Sequence, residues 1–205
     1  MKIASPTDDV IDLAALLGPF DDIKRVTKLP TGSYESDSHH AFSLALTAYT
    51  IAQKYCPELD REKVMKFALV HDLLELITGD ESTLHHTHEE HAAKKAREAE
   101  AAVEFKKMFA GFPTVTEDLE EYERLDTPEA CFVYVLDKAC TVWTHFFDAG
   151  TNLRDLGILK RSEIDSWYER LQKKIKGNLA CEPPKVAYEI LEQSFARMRA
   201  ELLED

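Results

Sequence analysis

The 205-residue sequence predicts an all-α protein, and three observations carry that reading. Apolar residues recur at helical spacing along nearly the whole chain. Only 7 glycines and 8 prolines are present, too few for a loop-rich all-β architecture. One segment, "TPEACFVYVLDKACTVWTHFF" (127–147), is apolar almost all round, as a central buried helix should be.

The elements follow in order. Residues 8–18 form the first expected helix, stopped by Gly18-Pro19. A turn-rich stretch, "KLPTGSYESDS", precedes a second helix in "HHAFSLALTAYTIAQKY" (39–55). Asp60 has the chemistry of an N-cap. The helix it opens carries "FALVHDLLELITGD" (67–80) and is expected to run to Gly79. Beyond the loop "DESTLHHTH", a charged, alanine-rich helix covers 89–109 and closes at "GFP". "TVTEDLEEYERL" is a short amphipathic helix. Thr127 then caps the buried helix, with Pro128 at its first position. "RSEIDSWYERLQKKI" (161–175) and "KVAYEILEQSFARMRAELLE" (185–204) supply two more amphipathic helices. With no internal repeat, the expected organisation is one domain over 1–150 and a C-terminal helical extension over 151–205 packed on it. The Leu191, Phe195, Met198 and Leu202 stripe either covers that domain or pairs two subunits, so a homodimer is one expectation.

Composition narrows the function. Hydrophobic residues at 44% and charged residues at 31% are ordinary for a soluble globular domain. The 25 basic side chains against 38 acidic ones leave a net charge of −13, which disfavours nucleic-acid polymers as partners. A small anionic substrate remains compatible, because a local metal and one arginine outweigh a diffuse acidic surface. The acid-bearing N-terminus "MKIASPTDDVIDLAALLGPF" reads poorly as a signal peptide. No apolar run approaches the ~18 residues of a membrane span. Cys56, Cys131, Cys140 and Cys181 are scattered without a C-x-x-C pair, and Cys131 and Cys140 are expected as buried free thiols. The expected location is the cytoplasm, away from membranes.

The chemistry concentrates in a few positions. His71, Asp72 and Glu75 interrupt an otherwise apolar run, and helical spacing puts all three on one side. Burying an unpaired carboxylate costs several kcal/mol or more, so such groups are paired, protonated or bound to metal. Imidazole nitrogen beside carboxylate oxygen suits a borderline divalent ion such as Mn, Co, Fe, Ni or Zn. A third ligand can come from His40, whose stripe (Leu44, Ala48, Ile51) faces the core, with Ser43 and the preceding "ESDS" nearer solvent. His39, on a more polar stripe, competes. Asp137 is an acid within the nearly continuous apolar run of the buried helix and is either a ligand or a partner for Arg25 or Lys138, although Lys138 lies about 100° round the helix and need not meet it.

These positions resemble the H…HD…D signature of the HD-domain metal-dependent phosphohydrolases. "ESDSHHAFSLALTAY" is similar to the family's E-S-x-x-E-H-S-x-x-x-A stretch, which selects His40 over His39. "HDLLELITGD" resembles H-D-L-x-E-x-x-x-G-D of the 5′-deoxynucleotidase-like branch, and "TPEACFVYVLDKA" its T-P-E-A-x-F-V-x-x-L-D-K block. The likeness covers roughly residues 10–148. It implies an HD-domain helical bundle holding one divalent transition metal by His40, His71, Asp72 and Asp137. It also implies Glu75 and Asp80 as catalytic acids, Arg25 as the phosphate clamp, and Lys138 as a further phosphate-side residue. The usual acid before the first ligand histidine is here His39. The reaction implied is hydrolysis of a 5′-(deoxy)nucleoside monophosphate, a small-molecule nucleotide. The alternatives are a (deoxy)nucleoside triphosphate triphosphohydrolase, favoured if Lys24, Lys28 and Lys138 line the site, a di-iron HD-type oxygenase, or a metal-stabilised interaction module. The histidines of "LHHTHEEH" (His85, His86, His88, His91) read as solvated or lid residues rather than a second metal site. Phe42, Phe132, Tyr134 and Trp143 read as core.

Overall fold

The computed structural model describes residues 5–80 and 88–202, the side chains of 88–96 excepted. Helix α1 (Pro6–Leu17) begins at Ser5, whose hydroxyl accepts from the Asp8 amide while the Asp8 carboxylate accepts from the Ser5 amide. A 3₁₀ turn (Gly18–Asp21) leads to strands β1 (Lys24–Lys28) and β2 (Tyr34–Ser36), paired antiparallel. Ser36 then caps α2 (Asp37–Tyr55), and Asp60 caps α3 (Arg61–Val70) by accepting from two backbone amides. After α4 (Glu75–Thr78) come α5 (His88–Met108), α6 (Pro113–Glu123) and α7 (Pro128–Phe147), the last capped by Thr127 as its sequence requires. The chain continues through α8 (Thr151–Asp155), α9 (Arg161–Asn178) and α10 (Lys185–Leu202).

Helix α7 is the axis of the core. From Ala130 to Ala139 every residue but Lys138 is buried, because α2, α3 and α10 pack round it. Leu191, Phe195 and Met198 of α10 are buried in the same apolar cluster as Phe132 and Leu136, so this stripe covers α7. A second cluster (Phe20, Val70, Leu73, Leu74, Phe105, Phe109) fills the space beside α5 and α6. No helix among the described residues is long and apolar enough to cross a membrane.

The architecture is all-α, as the sequence predicts, with local differences that matter for the site. The turn-rich stretch contains a two-stranded hairpin, turned by Gly32 at φ +83° and closed by a Leu29 amide donating to the Ser33 carbonyl. Val26 and Thr27 are β-branched and suit a strand. The helix expected to run from 60 to Gly79 breaks after Val70. His71 closes the last α-helical hydrogen bond, and the amides of Leu73, Glu75, Leu76 and Ile77 then reach back only three residues. "ESDS" is not solvated: Glu35, Ser36 and Asp37 are buried. Phe42, in contrast to Phe132 and Tyr134, is 65% exposed and is not core.

Gly150 joins α7 to α8 at φ +75°, and a Cβ there would lie 3.2 Å from Leu202 Cβ in α10. Gly150→Ala therefore combines left-handed strain with crowding and is expected to cost about 1–3 kcal/mol, read as a lower denaturation midpoint at unchanged m-value. An unchanged midpoint would show that this junction is not under constraint.

Candidate metal centre

Three elements converge on one buried point. His40 lies near the start of α2, His71 and Asp72 in the tightened turn after α3, and Asp137 midway along α7. The donor atoms of His40, His71 and Asp72 all lie within 4.8 Å of one another. Asp137 Oδ1 is 2.9 Å from His40 Nε2 and 3.8 Å from His71 Nε2. The predicted ligand set is thus assembled in space, and His39, which is exposed, is not part of it.

The local chemistry fits a metal. His71 Nδ1–H donates to the Ala68 carbonyl at 3.0 Å, so that in the neutral ring the lone pair sits on Nε2, facing the cluster. That Nε2 is buried without a hydrogen-bond partner. Asp72 Oδ2 approaches it to 2.9 Å, but without hydrogen-bond alignment, the arrangement of two groups aimed at a common third atom. On the far side of His40, Nδ1 faces Glu35 Oε2 at 4.0 Å, and Glu35 is itself held by the Thr27 hydroxyl at 2.7 Å. The Tyr122 ring packs edge-on against the His71 imidazole and shields it from water.

Charge compensation surrounds the donors. Arg25, delivered by β1, donates through Nη1 to Asp72 (2.8 Å) and Asp37 (3.2 Å), and its Nε lies 3.8 Å from Glu35. Its Nη2 takes no hydrogen-bond partner among the described residues. Lys138, one of the two partners that the sequence left open for Asp137, reaches its carboxylate at 2.5 Å despite the angular offset and rests over the Tyr134 ring. Burial pushes the Asp137 and Asp72 carboxyls up, yet Lys138 and the histidines at the one, and His71 and Arg25 at the other, hold both well below the usual range. Burial disfavours the charged His71 ring, but Asp72 and Asp137 prevail and raise its pKa.

Glu75 and Asp37 shift in the opposite direction from Asp72 and Asp137. Asp37 is fully buried, and its Oδ2 and Glu75 Oε2 lack any donor. With Asp72, these two carboxyls form a tight acid group. Burial, then Asp72 and Asp37, drive Glu75 upward, and burial also raises Asp37. Burial and the nearness of the other carboxylates thus favour the protonated form of both groups. Asp80 lies close enough for its charge to act on both Arg25 and Glu75. Lys24 and Lys28 are engaged elsewhere, with the Asp21 carbonyl and with Asp155. His85 and His86 lie outside the described residues. So do the side chains of His88 and His91.

Sequence reasoning missed Glu35, Asp37 and Thr27. A signal existed for Glu35, since it occupies the acid of the family's E-S pair and alternates with exposed Tyr34. Asp37 carried none, because an acid in the first turn of a helix is also what a solvated N-terminus would show.

Without metal, the folded protein holds extra protons at His71 and at the Glu75–Asp37 pair. Stability from these groups is present at low pH and is lost as pH rises through their raised values. Asp72 and Asp137 act the other way, and their contribution disappears only in strong acid. Metal-stripped protein should therefore lose thermal stability as pH rises from the ordinary carboxylate range towards about 11, the raised value of Glu75. Glu75→Gln should flatten that decline. Melting temperatures that rise across the same interval would contradict these raised values.

Comparisons with known proteins bear on the family and the fold. A family model described as HD domain matches residues 21–178. The chain is similar to the 5′-deoxynucleotidase HDDC2 of Danio rerio, 36% identical over 105 residues. That match covers 50% of this chain, and the chain spans about half the length of the curated relative it matches. Among solved structures, a predicted metal-dependent phosphohydrolase of Magnetospirillum magnetotacticum MS-1 superposes with a TM-score of 0.66 at 21% identity, over 96% of this chain and 97% of that one. The PH0347 protein of Pyrococcus horikoshii OT3 superposes with a TM-score of 0.60 at 24% identity, over 91% and 98% of the two chains. At these identities the two structures share the fold.

Proposed function

The chain belongs to the HD-domain family, and from that premise we propose that it is a metal-dependent phosphohydrolase acting on 5′-(deoxy)nucleoside monophosphates. The observation that carries this reading is the His40–His71–Asp72 donor cluster, joined by Asp137 through His40, with the acid Glu75 beside it in a carboxylate group that shares Asp72. A purely structural metal site has no use for that acid. The matching segment of a relative named as a 5′-deoxynucleotidase supports the choice of substrate. So does the engagement of Lys24 and Lys28 elsewhere, since a triphosphate would call for more basic groups at the site.

His40, His71, Asp72 and Asp137 would hold one divalent transition metal. Such an ion supplies Lewis-acid chemistry, activating water and offsetting charge on phosphoryl oxygens. The remaining steps fall to the chain's own groups. Arg25 presents Nη2 to a phosphate oxygen while its other donors stay anchored on Asp72, Asp37 and Glu35. In its carboxylate form, Glu75 orients the attacking water and accepts its proton. Asp80 protonates the leaving sugar oxygen or steadies Glu75. Lys138 keeps Asp137 ionised and adds positive charge on the phosphate side.

Phosphate release from a panel of nucleoside mono-, di- and triphosphates, with single metals returned to stripped protein, tests the substrate. Release from monophosphates is expected; pyrophosphate or triphosphate formed from triphosphates, with silence on monophosphates, would overturn it. His71→Ala should lose metal and turnover together. Glu75→Ala should retain metal and lose roughly 100-fold or more in kcat, and metal loss in that variant would refute its assignment as a non-ligand.

A further inference from the structure

Away from the metal centre, two of the four cysteines meet. Cys131 lies in the first turn of α7 and is fully buried, whereas Cys181 lies in the loop between α9 and α10 and is partly exposed. Their sulfurs are 2.9 Å apart. The approach is built into the backbone. Leu125 adopts a left-handed conformation (φ 48°), and its carbonyl accepts both the Ala180 amide at 3.0 Å and the Cys131 thiol at 3.1 Å. One carbonyl thus pins the α9–α10 loop and orients the buried thiol towards it. Cys181 also lines a groove of about 510 Å³ between α9 and α10, together with Tyr168, Lys176 and Tyr188, which is room for a small peptide-like molecule.

We propose that Cys131 and Cys181 form a reversible thiol–disulfide exchange site, with Cys181 as the attacking thiol, Cys131 as the resolving thiol and a low-molecular-weight disulfide as oxidant. The Cys181 thiol gives its proton to solvent, and the thiolate attacks one sulfur of the small disulfide. That S–S bond breaks, and one small thiol leaves after taking up a proton. Cys131 then loses its proton, attacks the Cys181 sulfur of the mixed disulfide and expels the second small thiol. Two protein thiols are oxidised by two electrons, and the small disulfide is reduced to two thiols. Burial raises the Cys131 thiol above its ordinary value, which assigns the first attack to its exposed neighbour and makes the resolving step the slower one. The product staples the α9–α10 pair to α7, the helix that carries Asp137, and closes a 50-residue span of chain.

Oxidised glutathione added to the full-length protein tests this. Alkylation under denaturing conditions should count two free thiols after treatment in place of four, and peptide mapping should join Cys131 to Cys181. The melting temperature should rise by about 5 °C or more and return on reduction. Cys181→Ser, at the partly exposed position, should remain fully alkylatable and unshifted, and Cys131→Ser should stop at one glutathione on Cys181. Four free thiols after treatment, a bond mapped to Cys56 or Cys140, or wild-type protein that stops at the mixed disulfide would each overturn the proposal. Mapping of the wild type decides the matter even if Cys131→Ser does not fold.

Discussion

Withdrawing Asp37, Asp72, Glu75 and Asp137 from water at a single point is the constraint on which the rest of the structure depends. Each carboxylate is costly in an apolar interior unless it is neutralised, and each is neutralised differently. Asp72 has Arg25 and His71, Asp137 has Lys138 and His40, and burial drives Glu75 and Asp37 towards their neutral forms. Helix α2 has no arginine, and the one in α3, Arg61, stands at the end of that helix away from His71. The guanidinium has to come from a separate element, and the β1–β2 hairpin is that element.

The hairpin and the break after α3 solve one geometric problem. A continuous helix from 60 to 79 would keep His71, Asp72 and Glu75 on a single straight face. The tightened turn instead bends the backbone, letting His71 anchor on Ala68, Asp72 reach Arg25, and Glu75 meet Asp37 across the gap to α2. The local loss of α-helical hydrogen bonds is small beside the charge compensation it permits.

The sequence exposed three of the four candidate ligands because they contradict their surroundings: an acid in the buried α7 and a His-Asp doublet in an apolar run are legible from one chain alone. The helices α2, α7 and α10 were legible because periodicity, capping residues and length agree. The hairpin was hidden by its brevity, since five and three residues give too little alternation to stand out among turn formers. The interactions that complete the site were hidden for another reason. Thr27–Glu35, Arg25–Asp37 and Asp37–Glu75 join residues whose proximity is set by packing, and no local pattern encodes it. The Lys138–Asp137 pair was left open because backbone angles alone do not bring the two together, whereas a flexible four-carbon stem curls back to its neighbour.

The hairpin that carries Arg25 is itself fastened far along the chain. Asn152 donates to the Val26 carbonyl across 126 residues, and Lys28 pairs with Asp155 across 127. During synthesis the chain emerges from its N-terminus, so α1, the hairpin and both histidine-bearing segments exist well before their fastening does. The two helices that supply most of the donors can meet early, but the cation that balances them is locked only after residue 155 has cleared the ribosome. For that interval the nascent chain carries an acid cluster with a loosely held counter-charge. Completion of the site is therefore a late event in folding, governed by long-range loop closure rather than by helix formation.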